Sequence, residues 1–254
     1  MISRYEVWLN GQALSEISQD ILVLDIQYPA LNYANSVIRS AKRQGARLYR
    51  RQVDENSVTV LFEIHAYDTR MRQEICNAVE TWASKGGVLK TSDREGKQLH
   101  CVCKTPPAIR SARDWTEPLS IVFAAYALPF WQETIPATLT LSGTSGSGSL
   151  YVPGSIQDTF VEVEITANAA LSQISLTAGN TSMTLSGLSV SSGQKIIISY
   201  DDEMIQQIRV GNTSLLNKRS GADDLRVDSG ESSAFSFSSS ASVSVTFKVR
   251  GLWA

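Results

Sequence analysis

Strict alternation of apolar and polar residues is the strongest signal in this chain. In SVTVLFEIHAY, Val58, Val60, Phe62 and Ile64 alternate with Thr59, Leu61, Glu63 and His65. A period of two sends the sets to opposite faces and predicts a half-buried strand. YEVWLNGQALS alternates up to Asn10-Gly11, a dipeptide that favours a tight hairpin turn because both positions accept positive φ. ILVLDIQYP predicts a second strand, ending at Pro29. In DTRMRQEICNAVETWASKGG the period lengthens to that of a helix. Asp68 is placed to cap its first turn, and Met71, Ile75, Ala78, Val79 and Trp82 form one apolar stripe. Gly86-Gly87 ends it, since glycine accepts the left-handed backbone of a helix terminus. GVLKTS and KQLHCVCK around DREG predict a hairpin. LSIVFAAYALPFW predicts a strand with Leu119, Ile121, Phe123 and Ala125 on one face and Val122, Ala124 and Tyr126 on the other. Pro129 stops it, having no N–H for a ladder.

Beyond Trp131 the texture changes to short strands rich in Ser, Thr and Gly: FVEVEIT, ALSQISLTAG, TSMTLSG, QKIIISYDD, IQQIRVGN, AFSFSSS and SVSVTFKVRGLW. Closely spaced turn residues between such strands predict a β-sandwich or jelly roll. The fold class is therefore mainly β. An N-terminal α+β domain of small sheets and one helix (1–132) precedes a C-terminal β-sandwich (133–254). Charge divides at the same place, with 16 basic and 14 acidic residues before it and 7 and 11 after. Phe130 and Trp131 either pack in the crease between the two domains or cap the first core.

Composition narrows function mainly by exclusion. Net charge is −2 and 43% of residues are hydrophobic, so nothing global recruits nucleic acid or an acidic membrane. No apolar run approaches the roughly 20 residues that span a bilayer. MISRYEVWLNG has no signal-peptide h-region, so synthesis in a cytosol is expected. Cys76, Cys101 and Cys103 are an odd number without a CxxC and without His or Cys at ligand spacing, and are expected as buried thiols. Neither a metal nor a cofactor is expected. Catalysis is expected to be absent. His100 and Cys101 are adjacent in a strand and face opposite ways, and His65 reads as an exposed or interface histidine. Asp201-Asp202-Glu203 and Asp223-Asp224 read as solvated turns. No P-loop, GxGxxG or HExxH occurs. The NTS sequons at Asn180 and Asn212 matter only in a secreted eukaryotic protein. The aromatic residues available to a sugar platform in the second half, Tyr151, Phe160, Tyr200, Phe235, Phe237, Phe247 and Trp253, mostly alternate with polar residues and point to the core.

One stretch is strongly one-sided. Between Asp25 and Asp54 there is no acidic residue, yet Arg39, Lys42, Arg43, Arg47, Arg50 and Arg51 are present. Such a run repels itself on an isolated surface. It reads best as a contact with an acidic face of a neighbour, where arginine forks suit carboxylates. The other readings are a solvated loop and a contact with DNA phosphates. A domain of only +2 is a poor nucleic-acid binder.

The order and spacing of these landmarks carry a resemblance along nearly the whole chain. The opening YEVWLNGQALSE, the basic-glycine element RQGARLYRRQ around Gly45, SVTVLFEI followed by the helix, the Pro-aromatic-aromatic step at 129–131, ISLTAGNTSMTLSG, GQKIIISYDDEMIQQIRVGN and the closing VSVTFKVRGLW together resemble the distal tail proteins of long-tailed, siphovirus-type bacteriophages. The chain has no room for the carbohydrate-binding domain that some members insert, so it is similar to the compact form. The resemblance implies a belt domain that closes into a ring, commonly a homohexamer, with a galectin-like sandwich outside it. One ring face would join the tail tube protein and the other the tail-associated lysin, baseplate and receptor-binding apparatus. It also implies a virion location at the tail tip, assembly in the bacterial cytoplasm, and DNA only as cargo through the channel. The alternative is a carbohydrate-binding adhesin for host wall polysaccharide.

Overall fold

The computed structural model describes residues 5–39, 46–109, 118–156, 158–201 and 203–254, with the backbone alone at residues 32, 35–39 and 46–52. The chain forms two compact units, Met1–Trp131 and Gln132–Ala254. It is mainly β, and the single α-helix among the described residues lies in the first unit.

The first unit runs β1 (Val7–Leu9), β2 (Gln12–Ala13), β3 (Ile21–Gln27), β4 (Asn32–Arg39), β5 (Ala46–Ile64), α1 (Thr69–Ser84), β6 (Gly87–Thr91), β7 (Lys97–Thr105) and β8 (Leu119–Ala125). Its sheet has the order β2-β1-β6-β7-β8-β5-β3, and β4 also pairs with β5. The expected Asn-Gly turn joins β1 to β2, with φ of 53° at Asn10 and 84° at Gly11. Asn10 does a second job. Its Nδ2 donates to the Gly86 carbonyl at 2.7 Å, and its Oδ1 accepts from the Val88 N–H at 2.9 Å. The end of the helix is thereby fastened to the first hairpin. A Cβ at Gly87 would stand 2.2 Å from Asn10 Oδ1, so only glycine fits there.

Cross-strand pairs build the core. Val58 pairs with Phe123, Val60 with Ile121 and Phe62 with Leu119, and all six are buried. Each contributes roughly 1.5–3 kcal/mol by leaving water. Asp68 caps α1 as expected, accepting from the Met71 N–H at 2.7 Å. Trp82 meets Phe123 edge-on at 6.0 Å. The buried stripe, however, is rotated from the expected one. Arg72, Ile75, Cys76, Val79, Trp82 and Ala83 are buried, whereas Met71 and Ala78 are exposed. The buried set follows i, i+3, i+4, i+7 from Arg72. That periodicity accepts an arginine whose stem is apolar.

After β9 (Trp131–Glu133), which begins at the last residue of the first unit, the second unit runs through β10 (Ala137–Tyr151), β11 (Thr159–Ala167), β12 (Leu171–Ala178), β13 (Thr181–Val190), β14 (Lys195–Tyr200), β15 (Gln206–Val210), β16 (Thr213–Ser214), β17 (Arg219–Gly221), β18 (Arg226–Val227), β19 (Ser232–Val249) and β20 (Leu252–Trp253). β19 serves both layers of the sandwich. Its Val243–Val249 half pairs with β11, and its Phe235–Ser239 half pairs with β12. β10 follows it along both halves, with a register shift between Gly143 and Ser145 where the pair bends. The two halves of β10 then meet inside. A Cβ at Gly146 would stand 2.9 Å from the Phe237 ring, and one at Gly148 3.3 Å from Leu139. A side chain at Gly146 would therefore force the Phe237 ring to move, and one at Gly148 would crowd Leu139. The core includes Val163, Ile165, Leu176, Leu185, Ile198 and Ile208, with Phe235 and Phe247 in ring contact at 5.1 Å.

Candidate assembly surface

Pairing along β5 is uneven, and that exposes the surface of interest. β8 covers Asn56–Phe62 and β3 covers Thr59–Ile64. From Glu55 back to Ala46 the described partner is β4 alone. The sheet therefore continues there as a two-stranded ribbon. A lone two-stranded ribbon is marginal in water, and its outer N–H and C=O rows invite a further chain. The basic stretch lies on this ribbon. Arg39 falls opposite Ala46, Arg47 opposite Ile38, Arg50 opposite Ser36 and Arg51 opposite Asn35. Lys42 and Arg43 lie outside the described residues. The solvated-loop reading of Arg39, Arg47, Arg50 and Arg51 is thus replaced by strand. RLYRRQVDEN hides its strand character because it lacks alternation.

The base of the ribbon is pinned. Lys104 pairs with Glu55 at 2.5 Å, and Asn56 is buried. Tyr28, between β3 and β4, donates its hydroxyl to Asp93 Oδ1 at 2.6 Å and lies 2.9 Å from Thr91 Oγ1. Burial, followed by the bond to Asp93, raises its phenol above the ordinary value. The Arg94 guanidinium sits 4.2 Å over the Tyr28 ring and 5.0 Å over Trp131, a cation–π arrangement. Tyr28 and Trp131 meet edge-on at 5.8 Å. Trp131 is 1% exposed, and these ring contacts lie within the first unit. Phe130 is half-buried. Tyr28, Asp93 and Arg94 had no signature in the sequence, because Tyr28 lies more than sixty positions from Thr91, Asp93 and Arg94.

The residues considered for chemistry are occupied structurally. Burial pushes the Cys101 thiol up to about 12 and also raises Cys76 and Cys103, so thiolate is disfavoured at neutral pH. His65 Nε2 lies 3.1 Å from Glu63 Oε2, and its side chain is about half exposed. His100 is half-buried beside buried Cys101. Asp201 closes its own turn, accepting from the N–H groups of Glu203 and Ile205 at 3.1 and 2.8 Å. Asp202 lies outside the described residues. Asp223 accepts from Arg219 at 2.7 Å and Asp224 from Arg226 at 3.1 Å. Of the aromatics in the second unit, Phe235, Phe237 and Phe247 are in the core and Tyr151 is exposed. Phe160 and Tyr200 pair at 4.7 Å. Trp253 donates to Glu133 at 2.7 Å. Among the described residues no helix is long and apolar enough to cross a membrane.

This fold, an antiparallel sheet bearing one helix followed by a sandwich, is shared with solved structures of a siphophage distal tail protein and of phage baseplates. The crystal structure of the SPP1 Dit (gp 19.1) protein, a paradigm of the hub adsorption apparatus in phages infecting Gram-positive hosts, matches with a TM-score of 0.70, 9% identity and coverage of 97% of this chain and 98% of that one. A chain of the phage P2 baseplate in its activated conformation with Ca gives 0.51, covering 99% of this chain and 98% of that one at 9% identity. The phage p2 baseplate with Sr gives 0.50, with 98% of both chains covered at 9% identity. No protein-family model and no curated protein sequence matches the chain.

Proposed function

We propose that this protein is the structural hub of a long-tailed phage's tail tip. Copies of the first domain (1–132) close head to tail into a ring of six, and the sandwich (133–254) stands outside it. One ring face joins the tail tube protein; the other carries the baseplate, the tail-associated lysin and the receptor-binding apparatus. The protein works in the virion without catalysis, and DNA crosses the ring as cargo. Supporting this reading is a match of fold that spans 97% of the chain. The ribbon supplies the physical means, because a marginal, basic, open-edged strand pair is completed by a neighbour. Such a permanent contact needs about 1,000 Å² or more of buried surface. Phosphate-gripping arginines would hinder DNA passage, which favours placing the ribbon in the protein–protein contact. Negative-stain imaging of the purified protein is expected to show rings with a central hole. A homogeneous monomer at high concentration overturns the proposal. Reversing Arg47, Arg50 and Arg51 to Glu is expected to abolish the assembled species in light scattering while the subunit stays folded.

A further inference from the structure

β10 ends the sandwich on one side. Among the described residues its only strand partner is β19, and its second edge is open along 15 residues. An open edge offers N–H and C=O groups to another strand, and proteins usually guard it with charge or proline. Residues 137–151 contain neither. The core is also thinly covered here. Leu139 and Leu141 pack against it but are only partly buried, whereas Phe247 and Val245, directly across the pair, are 0% exposed. A further strand on this edge would finish covering both leucines.

The order of residues along the edge points to its occupant. Pro136 precedes the strand, and the register shift after Gly143 interrupts it. The regular segment between them is Ala137–Gly143, and its middle residue is Thr140. Around Thr140 the segment reads TLTLS, nearly the same in both directions. An antiparallel partner runs backwards. A second copy centred on Thr140 therefore sets Leu139 against Leu141 twice, on the inner face. On the outer face it sets Thr140 against Thr140 and Thr138 against Ser142. Hydroxyl pairs of this kind already join β10 to β19. Thr140 Oγ1 lies 3.0 Å from Thr246 Oγ1, and Ser142 donates to Ser244 at 3.4 Å. No like charges meet, because the strand carries none. A slip of one residue would set the leucines of one copy against the hydroxyls of the other, so the register is fixed.

We propose that Ala137–Gly143 pairs antiparallel with the same segment of a second copy, about a two-fold axis at Thr140, and joins two sandwiches through one continuous sheet. This contact is isologous, whereas the ring contact is head to tail. It goes beyond the ring reading and does not rest on it. Cysteine trapping in the full chain tests it, with rates taken over the wild-type background from Cys76, Cys101 and Cys103. Thr138, Thr140, Ser142 and Ser147 are all exposed, so cysteine at any of them leaves the subunit folded. Under diamide, Thr140→Cys is expected to give disulfide-linked dimers at least about tenfold faster than Ser147→Cys, which lies on the same strand but does not meet its own copy in this register. Thr138→Cys and Ser142→Cys face each other and not themselves. Mixed, they are expected to link; each alone is expected to stay at the Ser147→Cys rate. Adding Thr140→Lys to both partners of the mixture sets like charges face to face and is expected to abolish the link. Equal rates for Thr140→Cys and Ser147→Cys, a mixture that links no faster than its components, or a link that survives Thr140→Lys overturns the edge pairing and leaves the ring standing. Trapped dimers from a protein that images without rings overturn the ring reading and leave the edge pairing standing.

Discussion

Gly251 shows how tightly single positions are set. A Cβ there would lie 1.7 Å from the Pro153 carbonyl oxygen, so Gly251→Ala must displace backbone. We expect a cost of about 3 kcal/mol, at the upper end for overpacking, read from the urea midpoint. Trp131→Ala is expected to cost about 3–5 kcal/mol, as removal of a buried aromatic does. Tyr28→Phe, which removes the hydroxyl bonded to Asp93, is expected to cost about 1–2 kcal/mol. Cys101 gives a pH signature. Its thiol is held up to about 12 in the folded state, so the unfolded chain ionises first. Stability from this group is therefore complete below the ordinary thiol range and falls as pH climbs from there towards 12. Denaturation midpoints across that range should fall less steeply in Cys101→Ala than in the wild type.

The ribbon and the outer face of the sandwich make separate predictions. Replacing residues 36–50 by an Asn-Gly turn is expected to leave the subunit's thermal transition in place and to remove assembly, because among the described residues that segment pairs only with itself. Loss of the folded transition would mean that the ribbon belongs to the subunit core. On the sandwich, Glu164 accepts from Lys195 at 2.5 Å and from Lys248 at 3.1 Å, and these bonds lower its carboxyl pKa. The contribution is present above the unfolded carboxylate value and is lost as pH falls through the lowered folded one. Glu164→Gln should therefore flatten the acid limb of stability, by a small amount because the pair is exposed. Legibility differed by element for physical reasons. SVTVLFEI and LSIVFAA announced themselves, since each lies over a core that demands alternation. Residues 46–55 did not, since RLYRRQVDEN carries no period-two alternation to read. In α1 the type and cap were readable, but the buried face was set by the sheet it packs on.

The two units have separate cores, so residues 132–254 expressed alone are expected to give one cooperative unfolding transition. A chain fragment that stays unfolded would show that the sandwich depends on the first unit. The assembly is a property of many copies, and imaging addresses it at that level.

By itself the sequence determined the strands over the two cores, the Asn10-Gly11 turn, the Asp68 cap and the change of texture after Trp131. Each depends on a local period or a local backbone preference. Only the tertiary structure decided that the basic stretch is ribbon, that Tyr28, Asp93, Arg94 and Trp131 meet, and that Gly146 and Gly148 face Phe237 and Leu139. These contacts join residues far apart along the chain, and no local pattern encodes a partner that only folding brings near.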